Sequence, residues 1–217
     1  MIVTIDGPAG SGKSSTAKKV AEQVGWHYLD SGALYRTWTL LYVMGGMDLA
    51  LFEEVVDVHD ITLSVDKHGT EPLLNGEKVG DSIREQRISE HVSTVSTLQA
   101  VRDKVNAEMR RIVQKHNFVA DGRDLGSVVF PDALLKIYMV ADLDERAKRR
   151  FAEMEKKGIP ASLQEIKDNL AARDATDSER AIAPLTKPEG AIEIDTTQLS
   201  FAEQVSRISS EIQQKLS

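Results

Sequence analysis

Eight residues near the start of the chain, Gly7-Pro8-Ala9-Gly10-Ser11-Gly12-Lys13-Ser14, satisfy G-x-x-x-x-G-K-[ST] at every fixed position. The chemistry this pattern serves is phosphate binding. Glycines let consecutive backbone N–H groups curl inward around a β-phosphate. A helix opening near Lys13 aims its positive end at the same group. The Lys13 ammonium reaches the β- and γ-phosphates, and the Ser14 hydroxyl suits Mg²⁺ as a ligand. Ser15 completes the stretch expected to meet ATP. A Gly-rich turn that merely ends a strand is the plain alternative. The β-rich segment before the motif and the helical segment after it are the context that phosphate binding requires.

A second set of residues could complete phosphoryl transfer. Asp121 closes the apolar run Phe118-Val119-Ala120, where an acid resembles the Walker B position that holds Mg²⁺ directly or through water. Many strands end in Asp as a helix cap, so Asp121 gains its meaning from the P-loop. Transfer also needs cations around the γ-phosphoryl and the acceptor, and arginine supplies permanently charged, bidentate forks. Arg36 follows Asp30-Ser31-Gly32, Arg123 follows the Asp121 strand end, and Arg173 and Arg180 flank Asp174 and Asp177. Arg146, Arg149 and Arg150 lie on a strongly charged helix and read first as a solvated face. The guanine-reading Asn/Thr-Lys-x-Asp motif of GTPases is absent from the sequence, and Thr186-Lys187-Pro188-Glu189 lacks its Asp. Gly122-Arg123-Asp124 is only a fragment of the protein-kinase catalytic loop, with Val129 where Asn belongs. A small-molecule kinase is the class that remains. A regulator that binds ATP without transferring it is the reading from a different class, and acceptor-side arginines argue against it.

These groups must be held by alternating strands and helices. Ile2 to Ile5 is β-rich and stops at Asp6-Gly7-Pro8, and Lys13 to Val24 reads as a helix ended by Gly25. His27 to Leu29 is a short strand, followed by a helix from about Ser31, with Ser31 as its cap. Such alternation predicts an α/β fold with a parallel sheet, whose ligands gather at the carboxyl ends of the strands. From Ile61 the pattern changes to period two. Lys67-His68-Gly69-Thr70 reads as a turn, and Asn75-Gly76 as a two-residue hairpin turn. This antiparallel meander is foreign to a parallel sheet and reads as an insertion over roughly 60–84. Helical spacing returns from Ile83 to about His116 as two helices meeting near Ser96 to Leu98. The strands Phe118 to Ala120, Leu134 to Val140 and Ala191 to Asp195 follow. Helices are predicted over Asp142 to Lys157, over Ser162 to about Asp174 with a Ser162/Glu165 capping box, and over Phe201 to Leu216.

The whole-chain numbers are compatible with this. The 217 residues carry 27 Lys plus Arg against 34 Asp plus Glu, a formal net charge of −7. That charge argues against a nucleic-acid coat, so any anionic ligand must be drawn in by a local cluster of cations. There is no cysteine, which removes disulfides, thiol catalysis and Cys-ligated metals and fits a cytoplasmic location. No apolar run reaches the ~18 residues of a membrane span, and the N-terminus lacks the basic and apolar regions of a signal peptide. The length predicts one domain, or one domain carrying an insertion.

With these residues in hand, the chain resembles the bacterial cytidylate kinases (CMP kinases) of the nucleoside monophosphate kinase family. The resemblance is carried by Ile5 to Lys13, by Leu29-Asp30-Ser31-Gly32-Ala33-Leu34-Tyr35-Arg36, and by Ala120-Asp121-Gly122-Arg123-Asp124-Leu125-Gly126. Val128 to Ala133 and the Arg173 to Leu185 region extend it over essentially the whole chain. It implies a P-loop three-layer fold with a five-stranded parallel core sheet, a small antiparallel NMP-binding insert and a helical lid. The implied partition is core 1–60, insert 61–97, core 98–145, lid 146–176 and core 177–217. It further implies that Arg36 and Arg123 grip the CMP phosphate, with Ser31 and Tyr35 nearby. Ser93, Arg102 and Asp124 would read the cytosine, Arg173 and Asp177 would meet the ribose, and Arg180 would act at the phosphate or base. Lys13, Arg36, Asp121, Arg123 and Arg180 form the implied catalytic set, with Ser14 and Asp121 toward Mg²⁺. The reaction implied is ATP plus CMP or dCMP giving ADP plus CDP or dCDP, in a monomer without nucleic-acid or membrane partners. UMP or shikimate-type kinases are the runner-up among enzymes.

Overall fold

The computed structural model describes residues 1–67, 69–156 and 158–217. His68 of the expected turn and Lys157 of the expected charged helix lie outside the described residues. Strand β1 (Ile2–Asp6) leads through the P-loop into helix α1 (Lys13–Val24), which ends on Gly25 at φ 70. Strand β2 (His27–Asp30) and helix α2 (Ser31–Met44) follow. The cap of α2 is Asp30 and not Ser31: the Asp30 carboxylate accepts from Ala33 N at 3.0 Å. Ser31 lies within the first turn, and its hydroxyl points elsewhere. Helix α3 (Leu49–Val55) has no counterpart in the sequence reading. It is short, and its Asp48 cap is its main local signal.

Strands β3 (Ile61–Asp66), β4 (Gly69–Leu74) and β5 (Glu77–Lys78) form a separate antiparallel sheet. Asn75 and Gly76 turn it with φ values of 51 and 86, the left-handed pair that a type I′ hairpin demands. A 3₁₀ turn (Gly80–Arg84) leads to helices α4 (Gln86–Val95) and α5 (Gln99–Val113). The remaining elements are β6 (Phe118–Gly122), a π-type turn (Leu125–Val129), β7 (Leu135–Val140), α6 (Leu143–Lys156), α7 (Leu163–Glu179), β8 (Ile192–Asp195) and α8 (Phe201–Leu216). Helix α7 runs past the Asp174 end read from the sequence. Its Ser162/Glu165 capping box is present, and Arg173 and Asp177 therefore share one helix.

The core sheet has the order β2-β6-β1-β7-β8, parallel throughout. Period-two alternation splits its apolar side chains between two layers. Phe118 and Ala120 pack with Leu34, Trp38 and Met109 on one face. Val3, Ile5, Val119 and Ile137 pack with Val20 and Ile208 on the other. Each fully buried aliphatic side chain contributes roughly 1.5–3 kcal/mol of transfer free energy, so both layers are needed to fix the register. That register is what serves the site. Asp30 lies beside Asp121, and Asp6 beside Gly122, so the polar ends of three strands open on one edge.

The insert is tied to β2. The Asp66 carbonyl lies 2.9 Å from His27 Nδ1, and Gly69, at φ 133, sits where a Cβ would be 2.6 Å from the Tyr28 carbonyl oxygen. Helices α6 and α7 make a small apolar cluster of their own from Ala147, Ile166 and Leu170, which Ala9 of the P-loop joins. No helix among the described residues is long and apolar enough to cross a membrane.

Candidate active site

The P-loop glycines adopt backbone angles that other residues strongly disfavour. Gly7 is the clearest case: at φ 149 its α-carbon lies against β7, and a Cβ there would sit 2.0 Å from the Met139 carbonyl oxygen. Lys13 is buried, and its Nζ donates to the Pro8 carbonyl at 2.7 Å, folding the ammonium back over its own loop. Burial, and after it Arg123, holds that ammonium well below the ordinary lysine range.

Beneath the loop, Asp121 collects hydroxyl donors from separate elements. Ser14 donates to Asp121 Oδ2 at 2.6 Å, and Tyr28 donates to Oδ1 at 2.6 Å. The Ser31 hydroxyl donates to the Asp121 carbonyl at 2.6 Å. Burial raises the Asp121 carboxyl and the Tyr28 phenol alike, so Tyr28 stays protonated and remains a donor. The Ser14 hydroxyl and the Asp121 carboxylate are hard oxygen donors. Among the described residues no group of three or more His, Cys, Asp or Glu is placed to hold a metal. Few protein oxygens beside a phosphate cradle is a donor set that fits Mg²⁺, which keeps its waters and leans on substrate phosphates.

The acceptor side holds two knots of charge. In the first, the buried Asp124 carboxylate is shared by Arg102 of α5 and Arg180, the residue that caps the end of α7. Arg102 Nη2 donates to Oδ2, and Arg180 Nη2 donates to Oδ1 at 3.2 Å. Arg102 also donates to the Ser96 carbonyl at 3.3 Å and lies with its guanidinium carbon 5.9 Å from the Tyr35 ring centroid. In the second knot, Arg123 Nε donates to Asp177 Oδ2 at 2.7 Å. Arg36 and Arg173 lie close enough to Arg123 to be held below the ordinary arginine range. Burial is the larger cause for both, and Arg173 is pushed down to about 10. Among the described residues Arg36 makes no hydrogen bond or ion pair, and the buried Arg173 Nε has no hydrogen-bond partner. Lys13, Arg36 and Arg173 are thus each repelled by Arg123 at this end of the sheet, an arrangement that a polyanion among them would reverse.

The structure brings together Lys13, Ser14, Ser31, Tyr35, Arg36, Arg102, Asp121, Arg123, Asp124, Arg173, Asp177 and Arg180. It does not bring the Ser93 side chain into this bonded network: Ser93, on α4, offers only its carbonyl, to the Ser96 hydroxyl at 2.8 Å. The Ser15 hydroxyl turns back to the Gly12 carbonyl at 3.0 Å. Arg146 is not part of a solvated face. It is buried, and it donates to the Ala9 carbonyl at 3.0 Å, the Ala141 carbonyl at 2.9 Å and Asp174 at 2.6 Å. Arg150 of the same helix is exposed, as the sequence reading had it.

Asp6 and Tyr28 were missed. Asp6 is fully buried and accepts from Leu125 N at 2.9 Å and Gly126 N at 2.7 Å, clamping the turn that follows Arg123 and Asp124. An acid closing an apolar strand is the available signal, but beside Gly7-Pro8 it reads as turn punctuation. Tyr28 signalled itself only as an aromatic with a polar tip in a short strand, a tip that needs a partner once buried.

A parallel sheet whose first strand runs into a phosphate cradle, with a Ser–Asp pair below and a ring of cations above, defines a P-loop phosphotransferase. The cytidylate kinase family model matches residues 3–214. The cytidylate kinase of Caldanaerobacter subterraneus subsp. tengcongensis is 44% identical over 95% of this chain and 92% of its own length. That of Azotobacter vinelandii is 40% identical over 98% and 95%. The crystal structure of TT1252 from Thermus thermophilus covers 100% of this chain and 98% of its own at a TM-score of 0.54 and 16% identity, a likeness of fold. The chain belongs to the cytidylate kinase family.

Proposed function

We propose that this chain is a cytidylate kinase, transferring the γ-phosphoryl group of ATP to CMP or dCMP. The observation that carries this reading is the convergence of donor and acceptor machinery on one end of the parallel sheet. Ser14, beside Lys13 of the P-loop, donates to Asp121 at 2.6 Å, two residues before Arg123 of the acceptor side.

The nucleophile is a phosphate oxygen of the monophosphate, whose second pKa near ~6 leaves it anionic at neutral pH. No side chain need remove a proton. The oxygen forms a bond to the γ-phosphorus as the bond to the β–γ bridging oxygen breaks, and ADP leaves with that electron pair. Catalysis is then positioning and charge stabilisation. The P-loop amides and Lys13 hold the donor phosphates. Arg36 and Arg123 grip the acceptor phosphate, with Ser31 and Tyr35 beside them. Asp124, held between Arg102 and Arg180, faces the cytosine with Ser93, and Arg173 and Asp177 meet the ribose. Ser14 and Asp121 would hold Mg²⁺, directly or through water, and the ion would supply charge to the β- and γ-phosphates. The insert over 61–97 carries the monophosphate side, and the helical segment 146–176 acts as a lid on a core of 1–60, 98–145 and 177–217. Closure of that lid would keep water from the γ-phosphoryl. No membrane or nucleic-acid partner enters this reading, and a cytoplasmic monomer is consistent with it.

A coupled assay of ADP release from ATP with CMP, dCMP, UMP, AMP and shikimate in parallel tests it. Cytidine monophosphates should be the best acceptors. Preference for shikimate or AMP, or ATP binding without transfer to any acceptor, would overturn it.

A further inference from the structure

We propose that Tyr28 is a positioning residue for the metal-side carboxylate: its hydroxyl holds Asp121 in the orientation that faces Ser14. The inference rests on the reading of Ser14 and Asp121 as the Mg²⁺-side groups.

The geometry is specific. Each Asp121 oxygen has one hydroxyl donor, Tyr28 on Oδ1 and Ser14 on Oδ2, both at 2.6 Å. The two donors differ in what else can move them. Ser14 opens the helix after the P-loop, so its hydroxyl answers to whatever the loop holds. Tyr28 lies on β2, paired in register with Val119 of the Asp121 strand, so its main chain is held by the sheet and not by the loop. Its ring packs against the apolar layer under α1 and α8, and its main chain is pinned by the close approach of Gly69 to its carbonyl. A phenol has few torsions and so holds a partner at little entropic cost. Against this tether acts the Lys13 ammonium, close enough to attract the Asp121 carboxylate. Without the phenol, that attraction and the single Ser14 bond decide where the carboxylate points. Partners of metal-side carboxylates affect metal affinity in this way because they fix orientation and charge.

The test is Tyr28→Phe, which removes one oxygen and keeps the ring. The readout is the Mg²⁺ concentration that half-saturates ATP binding, followed by calorimetric titration without acceptor, so that turnover plays no part. ATP affinity without metal and the thermal midpoint are measured alongside, and Asp121→Asn is the companion. Both variants should raise the Mg²⁺ requirement, Tyr28→Phe by about tenfold and with its metal-free ATP affinity unchanged. A wild-type Mg²⁺ requirement in Tyr28→Phe beside a raised one in Asp121→Asn overturns the role of Tyr28 alone. A wild-type requirement in Asp121→Asn overturns the metal-side reading and this inference with it. A lowered thermal midpoint with an unchanged Mg²⁺ requirement marks Tyr28 as structural only, and also overturns it.

Discussion

Removing the carboxylate at Asp124 should damage the fold before it damages recognition. The Arg102 and Asp124 side chains are 2% and 6% exposed, and Arg180 is 5% exposed. Breaking a buried pair from one side costs about 3–5 kcal/mol, because the partner is left charged and dry. The two sides here are unequal. Asp124→Asn leaves Arg102 with the Ser96 carbonyl and Arg180 with the Ala183 carbonyl, so two buried cations lose their counterion. Arg102→Met leaves Asp124 still paired with Arg180. Asp124→Asn should therefore fall at the upper end, about 4–5 kcal/mol, and Arg102→Met nearer 3 kcal/mol. For a chain this long the larger loss corresponds to a fall in thermal midpoint of about 10 °C or more. The double variant should cost less than the sum by about 2 kcal/mol, since the second change removes a charge the first had stranded. Urea unfolding of the four proteins without nucleotide measures this cycle, and raised salt should change the coupling little because the pair is buried. Single effects that add to within about 0.5 kcal/mol would refute the reasoning. Where all four proteins are folded, Asp124→Asn should also lose preference for cytosine over uracil.

Two further outcomes rest on the buried charges of Lys13 and Asp6. Lys13→Ala should lower kcat by about a hundredfold or more and leave the thermal midpoint unchanged or raised, because it removes a desolvated ammonium held near Arg123. Near-wild-type turnover would refute the mechanism, and a lowered midpoint would refute the electrostatics. Asp6 is pushed up from 3.8 to about 6, chiefly by burial, with the Leu125 and Gly126 amides opposing the rise. Between those values the folded chain binds a proton that the unfolded chain has lost. The Asp6 contribution is thus full below the lower value and falls away as pH rises through the upper one, by at most about 3 kcal/mol. A carboxyl ¹³C titration should find the Asp6 midpoint near 6, and an ordinary aspartate midpoint would refute it.

What the sequence determined by itself was whatever is encoded within a few residues. The P-loop is legible because its function resides in consecutive backbone N–H groups, so spacing along the chain is spacing in space. The Asn75-Gly76 turn and the Ser162 capping box are legible for the same reason. The alternation of strands and helices determined the parallel sheet, and with it the edge where the acids and arginines had to gather. Which atoms meet on that edge was decided only by the tertiary structure. Ser14 and Tyr28 reach Asp121 across 107 and 93 residues, and Arg180 reaches Asp124 across 56. No local pattern marks Asp6 as the clamp on a distant turn, Arg146 as a buried brace of the P-loop, or Tyr28 as a hydroxyl donor. Local patterns record backbone preference and burial period. A side-chain hydrogen bond between elements depends on the sheet order and register, and those are fixed only when the two apolar layers close on the strands.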